Sequence, residues 1–288
     1  MLHSGVFGRR VGPLGMPSSE MPLISPGRSV FRALIAAASL CSLPCHAEIR
    51  EIKTLSEILP SITPDTLLVF DLDNTLIVPD GDLGSDHWFY FLLRKYQEID
   101  HLSADAAEDR AMEVWNRVQS GLAVHTVEAG TADLIRKQQD RGIVTIGLTA
   151  RTPDIADTTL TQLHGASVDL GRHTACAFDF EWWCHDIVKY QAGILFVGDL
   201  SSKGEALTQF LTGLSLRPKR VVFVDDRLTQ VSSVNEAMCA MGIECLAFRY
   251  GFLDERVARF NRDTKDIRTY LGELPRAESS GKSNAPNR

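Results

Sequence analysis

Short runs of apolar residues, each followed by a polar position, recur along the chain and predict buried strands. Four such runs lie at Leu67 to Phe70, Ile143 to Leu148, Val221 to Val224 and Cys245 to Phe248. Continuous apolar runs of this length are typical of central parallel strands, because helices cover both faces of such strands. The pattern therefore predicts a largely parallel sheet.

Amphipathic helices are predicted between these runs, where apolar residues recur three and four positions apart. The helical segments are 87–99, 103–120, 131–141, 154–164, 203–211 and 228–241. Strands that alternate with helices indicate an α/β fold with a Rossmann-like parallel sheet. We expect the core to comprise 48–76 and 131–274, with a small helical cap inserted at 77–130.

Three other segments differ in composition from this core. Residues 166–200 are rich in aromatic side chains and predict a flap that resembles a β-hairpin. The polar segment 275–288 predicts a disordered tail. Near the N-terminus, Arg28 and Arg32 precede an apolar run that leads to Ala47. This order is typical of a signal peptide cleaved near Ala47, so residues 1–47 predict a leader and export to the periplasm or outside the cell.

Composition narrows the possible partners. The 288 residues carry 30 Lys and Arg against 37 Asp and Glu, a formal net charge of -7. A net-acidic chain without basic clusters argues against nucleic-acid binding. After the leader no apolar run is long enough for a membrane span. Among the cysteines, a Cys176–Cys184 disulfide is plausible after export, whereas Cys239 and Cys245 are expected to be small buried residues.

Polar residues that can carry chemistry follow three of the predicted strands. Asp71 and Asp73 end the first, Thr149, Ala150 and Arg151 end the second, and Asp225 and Asp226 end the third; Lys203 opens a later helix. Ligands of open α/β sheets bind beyond the carboxyl ends of the strands. Two carboxylates there can act as nucleophile and acid/base, and a lysine near a helix N-terminus attracts an anion.

Taken in order, these residues resemble the four motifs of the haloacid-dehalogenase (HAD) superfamily of phosphohydrolases. The matching residues are Asp71-x-Asp73-x-Thr75, Thr149, Lys203 and Asp225-Asp226, over roughly residues 65–250. The stretch from Val78 to Phe89 is also similar to an exported subgroup from intracellular bacteria. The resemblance implies a HAD-like core, Mg²⁺ as cofactor and a small phosphorylated substrate.

The same resemblance implies a role for each matched residue. Asp71 would attack phosphorus, and Asp73 would protonate the leaving oxygen and then activate water. Mg²⁺ would bind Asp71, the Asp73 carbonyl and either Asp226 or Asp225, of which Asp226 is the first choice. Thr149, Ala150, Lys203 and Arg151 would hold the phosphoryl group, although Arg151 equally suits an ion pair with a core acid and Lys189 is the alternative lysine.

A Mg²⁺-dependent phosphomonoesterase is therefore the function that the sequence favours. A catalytically idle HAD-fold binding module and a phosphotransferase to an alcohol acceptor stay open as alternatives. The pattern leaves the substrate and the oligomeric state undetermined.

Overall fold

A computed structural model of the protein describes residues 48–198 and 201–273. The predicted leader at 1–47, its cleavage site and the predicted tail at 275–288 lie outside these residues. Within the described part, ten strands and eight α-helices follow one another along the chain. The predicted division into core, cap and flap stays a prediction, and the name cap is used below only for residues 77–130.

The predicted sheet is present, and it is mostly parallel. The strands are β1 (Glu48–Ile52), β2 (Thr66–Phe70), β3 (Ile77–Pro79), β4 (Val124–Thr126), β5 (Val144–Thr149), β6 (Phe180–Cys184), β7 (Asp186–Gln191), β8 (Ile194–Phe196), β9 (Arg220–Asp225) and β10 (Glu244–Tyr250). Across the described ranges, eight of them form one sheet in the order β1-β10-β9-β2-β5-β8-β7-β6, and β3 pairs with β4. The first six strands in this order, from β1 to β8, run parallel to one another. Strands β7 and β6 add an antiparallel edge.

Six of the eight helices in the described residues begin and end close to the predicted positions, and the last two were not predicted. The helices are α1 (Asp86–Glu98), α2 (Ala104–Gln119), α3 (Thr131–Asp140), α4 (Ala156–Gly165), α5 (Lys203–Gly213), α6 (Leu228–Ala240), α7 (Asp254–Asp263) and α8 (Ile267–Glu273). Side-chain caps set several of the starts. Ser85, Ser103 and Ser202 each accept a hydrogen bond from a backbone N–H in the first turn of the following helix, and this satisfies one of the donors that a helix start leaves open.

The central sheet separates two layers of core. Alternate residues of β2 point to opposite faces, so Leu68 and Phe70 join one apolar cluster while Leu67 and Val69 join the other. Helices α3 and α4 contribute to the first cluster, and α5 and α6 to the second. Covering of both faces explains why the strands appear in the sequence as continuous apolar runs.

The segment 166–200 extends the central sheet. Its described part holds the expected hairpin as β6 and β7, which pair from Phe180↔Tyr190 to Cys184↔Asp186, and β7 in turn pairs with β8. The Cys176–Cys184 disulfide is wrong, since both residues are free thiols. Cys184 lies buried at the end of β6, whereas Cys176 is half-buried in the loop before it. Cys245 is buried as expected, and Cys239 is half-buried.

A third apolar cluster joins the insert after β2 to the end of the chain. It includes Phe89 and Phe91 of α1, Trp115 of α2, Phe260 of α7 and Ile267 of α8. Polar contacts add to it, because the Arg94 side chain donates to the Thr264 carbonyl (3.3 Å) and the Arg256 side chain donates to the Pro79 carbonyl (3.0 Å). The last helices therefore hold the cap against the body of the protein.

Within the described residues, every helix is too short or too polar to cross a membrane.

Phe260 packs between the cap and the C-terminal helices. It is 4% exposed and its ring contacts the rings of His87, Phe91 and Tyr270. We expect Phe260→Ala to lower the free energy of unfolding by about 3–5 kcal/mol in urea titrations, because a large buried side chain leaves a cavity. Leu228→Ala, at an exposed position, is the control with little effect. A loss below 1 kcal/mol for Phe260→Ala would contradict this packing.

Candidate active site

The eight residues singled out at the strand and helix ends line a single cavity of about 310 Å³. They are Asp71, Asp73, Thr149, Ala150, Arg151, Lys203, Asp225 and Asp226. Parallel strands β2, β5 and β9 are neighbours in the sheet, so their carboxyl ends meet at one edge and bring these groups together. The cap supplies the opposite wall.

Lys203 and two carboxylates form a buried ion triad at the base of the cavity. The Lys203 ammonium donates to Asp71 and, at 2.7 Å, to Asp225. Lys203 is the first residue of α5, and close packing of that helix against α6 lets it reach the strand ends. Gly204 makes this approach possible, because a Cβ there would lie 2.3 Å from the Ser233 carbonyl oxygen. The alternative Lys189 lies on β7 and pairs with Glu181.

The loop after β2 fixes Asp71 and its neighbours. The Asp71 amide donates to the Val224 carbonyl (2.9 Å), and the Thr75 hydroxyl donates to the Asp71 carboxylate (3.0 Å). Asn74 has φ 60°, a left-handed conformation that asparagine tolerates better than most residues. Its side-chain amide donates to the Asp226 carboxylate (3.2 Å). The turn thus links the ends of β2 and β9.

Asp73 is held by a bidentate ion pair with Arg151. Arg151 Nε and Nη2 donate to the two carboxylate oxygens of Asp73, each at 2.8 Å. This geometry is the strongest form of arginine–carboxylate contact, and it orients the carboxylate as well as binding it. Arg151 was expected either to hold the phosphoryl group or to pair with a core acid. The structure shows it paired with an acid, Asp73, which is itself a candidate site residue. The Thr149 hydroxyl accepts a hydrogen bond from the Arg151 amide (3.1 Å).

Burial shifts the pKa values of Asp71 and Asp226 upward. It raises the pKa of Asp71 to about 7, although the Lys203 charge opposes the shift. Burial together with the charges of Asp86 and Asp225 raises the pKa of Asp226 well above its ordinary range. Burial lowers the pKa of Lys203, but the carboxylates of Asp225 and Asp71 outweigh that effect and raise it overall. The raised pKa values of the two acids mean that an additional positive charge is favourable in this cluster.

A divalent cation would supply positive charge to this cluster of acids. Asp71, Asp225 and Asp226 each offer a carboxylate oxygen, and these oxygens lie within 4.8 Å of one another. A set of hard oxygen donors is what Mg²⁺ binds in proteins. Asp225 is the less available of the last two, because its oxygens already accept hydrogen bonds from Lys203 and from the Arg227 amide (2.8 Å).

Several residues that line the cavity were not predicted from the sequence. The cap contributes Asp86, Phe89 and Tyr90 from α1 and Glu108, Met112 and Trp115 from α2, and the core contributes Ser201, Arg227 and Gln230. Arg227 directly follows the acid pair, and its guanidinium lies 4.7 Å from the centre of the Tyr90 ring. Trp115 is the tryptophan among the lining residues. Asp86 follows a helix-capping serine, and that pattern gave no signal of a site.

Comparison with known proteins assigns the chain to a family. The family described as "Protein of unknown function (DUF2608)" matches residues 48–275. The chain belongs to this DUF2608 family. Among its relatives, a provisionally named outer membrane protein of Chlamydia pneumoniae is 22% identical over 249 residues, covering 80% of this chain and 88% of that protein. The uncharacterized protein RP296 of Rickettsia prowazekii is 24% identical, covering 73% of this chain and 81% of its own.

Solved structures similar to this DUF2608 chain include HAD-superfamily hydrolases. A haloacid dehalogenase-like hydrolase from Streptococcus pneumoniae has a TM-score of 0.40 at 16% identity, covering 65% of this chain and 85% of that one. A HAD-superfamily hydrolase of subfamily IA from Geobacter sulfurreducens has a TM-score of 0.38 at 14% identity, covering 64% and 90%. Likenesses at this level concern the general fold and say nothing about activity.

The raised pKa of Asp71 predicts a pH effect on stability in the absence of divalent cations. The pKa is about 7 in the folded protein and 3.8 ordinarily, so the folded state binds the proton more tightly between these values. The cost of burying the charge is absent below about pH 4 and complete above about pH 7. Urea titrations with EDTA should show wild type losing stability relative to Asp71→Asn as the pH rises through this window.

The control for this measurement is Asp65→Asn, which changes an exposed carboxylate. Its stability difference from wild type should stay nearly constant over the same pH range. A wild-type and Asp71→Asn pair that run parallel from pH 4 to pH 8 would contradict the burial effect.

Proposed function

We propose that the protein is a Mg²⁺-dependent phosphomonoesterase that acts through a phosphoaspartate at Asp71 on a small phosphorylated substrate. The observation that carries the proposal is the grouping of three carboxylates within 4.8 Å of one another beside a buried lysine. This grouping lies in one cavity with the Asp73–Arg151 pair and a helical wall. It provides a nucleophile, an acid/base and cationic groups for a transferring phosphoryl group.

Asp71 and Asp226 are the carboxylates we assign to the cation, with the Asp73 carbonyl as a third ligand. When bound, Mg²⁺ would neutralise the repulsion between the Asp71 carboxylate and a phosphate dianion. Asp225 has the different task of holding the Lys203 ammonium beside Asp71. Lys203 and the backbone amides after Thr149 would then stabilise the equatorial charge of the phosphoryl group.

Asp73 suits the two proton transfers that the reaction requires. Cleavage of the ester bond to phosphorus requires a proton on the leaving oxygen, and Asp73 would donate it as the Asp71 carboxylate forms the new bond. Asp73 is then a carboxylate, the form that Arg151 binds through both oxygens. In that form it would take a proton from the water that attacks the phosphoaspartate, so phosphate leaves and both residues return to their starting state.

The cap limits the substrate to small molecules. Phe89, Tyr90, Met112 and Trp115 face the strand ends across a cavity of about 310 Å³. Their apolar surfaces would exclude water and receive the organic part of a phosphomonoester. We also infer that the protein acts after export, since the predicted signal peptide and the name of the Chlamydia pneumoniae relative both favour it.

Asp71→Asn tests the central role directly. We expect the purified protein to hydrolyse p-nitrophenyl phosphate or members of a panel of phosphorylated metabolites with Mg²⁺, and to lose turnover in EDTA. Asp71→Asn should reduce kcat by at least about 10³-fold, because the nucleophile is gone. Asp65→Asn, the same chemical change on the surface, should leave kcat unchanged.

Other outcomes of that assay identify the alternatives. Absence of turnover from a folded protein that binds Mg²⁺ and phosphorylated ligands would replace the proposal with the binding module. Formation of a new phosphate ester when an alcohol is added would identify a phosphotransferase.

Asp73→Asn tests the acid/base role. We expect kcat/KM for an alkyl phosphate to fall by about 10²–10⁴-fold, the typical contribution of general acid catalysis. With 2,4-dinitrophenyl phosphate the loss should be much smaller, because that leaving group departs without a proton. Equal losses on both substrates, from steady-state kinetics, would show that Asp73 does not act as the acid.

A further inference from the structure

Every nitrogen of the Arg151 guanidinium has a hydrogen-bond partner. Two of them bind Asp73, and the third, Nη1, donates to the Thr159 hydroxyl (3.0 Å) and to Gln162 Oε1 (2.6 Å). Arg151 is 3% exposed, so water cannot replace these partners. Thr159 and Gln162, both on α4, therefore fix the plane of the guanidinium, and that plane fixes the carboxylate of Asp73.

Gln162 also contacts the cap. Its Nε2 donates toward the Gln119 carbonyl (3.1 Å), the Gln119 side-chain oxygen (3.1 Å) and the Leu122 carbonyl (3.0 Å). Gln119 ends α2, and its own Nε2 donates to the Gly84 carbonyl (2.8 Å), just before α1 begins. Both glutamines are buried. One chain of hydrogen bonds thus runs from the two ends of the cap helices to Asp73.

The two ends of the Gln162 side-chain amide have different hydrogen-bonding roles, because the oxygen accepts and the nitrogen donates. Gln162 must present its oxygen to a cation and its nitrogen to carbonyl groups, which leaves one orientation of the side chain. A displacement of the 119–122 segment would leave buried polar groups unpaired, which is unfavourable because water does not reach them. Arg151 would then lose a partner that holds its plane.

We propose that Gln162 and Gln119 are positioning residues that align the catalytic acid Asp73, through Arg151, only when the cap is seated. The inference rests on the proposed function, because it requires Asp73 to donate a proton to the leaving group. It adds two residues that neither line the cavity nor occur in the sequence motifs, and it connects cap position with acid catalysis.

Leaving-group dependence separates this role from a merely structural one. We would compare Gln162→Ala and Gln119→Ala with wild type on an alkyl phosphate and on 2,4-dinitrophenyl phosphate, with Mg²⁺ present. Misalignment of the acid should reduce kcat/KM for the alkyl phosphate by about tenfold or more. It should reduce kcat/KM for the activated ester less than threefold, because departure of that group needs no proton.

Gln139→Ala is the matched control. Gln139 is equally buried and donates a hydrogen bond to the Asp169 carbonyl (2.8 Å), but it lies on α3 and does not line the cavity. Its ratio of the two kcat/KM values should equal that of wild type. Gln162→Met keeps the side-chain volume, so it provides a folded variant if the alanine substitution prevents folding, and it should show the same selective loss.

Each outcome bears on the inference. A loss of kcat/KM that is selective for the alkyl phosphate in Gln162→Ala and Gln119→Ala supports it. Equal losses on both substrates, or no loss, overturn it and leave the phosphatase proposal intact. Absence of turnover by wild type on both esters would instead overturn the proposed function and this inference with it.

Discussion

The ion triad of Lys203, Asp71 and Asp225 is the interaction on which the site depends. It joins a helix start to the ends of two neighbouring strands inside the protein, with the ammonium 2.7 Å from Asp225. A buried charge without partners costs several kcal/mol, so removal of one member leaves the others uncompensated. With its carboxylates ionised, the triad carries one more negative than positive charge, and an ionised Asp226 would add another. Under the proposed function, a divalent cation would offset this imbalance and so reduce the repulsion between the cluster and a phosphate.

Sheet topology explains why these groups meet. Strands β2, β5 and β9 are parallel neighbours, so the residues after each strand meet at one edge although they are separated by more than 70 positions in sequence. The insert between β2 and β5 then covers that edge, and α7 and α8 hold it in place through Phe260. Hydrogen bonds through Gln162 and Arg151 connect this insert to Asp73.

Much of the fold could be predicted because strands covered on both faces have an unmistakable apolar pattern, and β2, β5, β9 and β10 lie within two residues of the predicted runs. Strand β1 could not, since five residues that include three charges carry no such pattern. The residues that bind the Arg151 guanidinium could not be identified from the sequence either. Gln162 and Gln119 are ordinary helix residues, and only tertiary structure brings them to the guanidinium. The Cys176–Cys184 disulfide was wrong because export to an oxidising compartment, on which it rested, does not determine which thiols lie close together.

Chemical trapping of the covalent intermediate tests the central claim most directly. Asp73→Asn protein would be mixed with 2,4-dinitrophenyl phosphate and Mg²⁺, quenched in acid within milliseconds to seconds, and digested for mass spectrometry. The account predicts one added phosphoryl group, on the peptide that contains Asp71 and on that side chain, and none when EDTA replaces Mg²⁺. Turnover without a phosphorylated peptide, or a phosphoryl group on another residue, would contradict it.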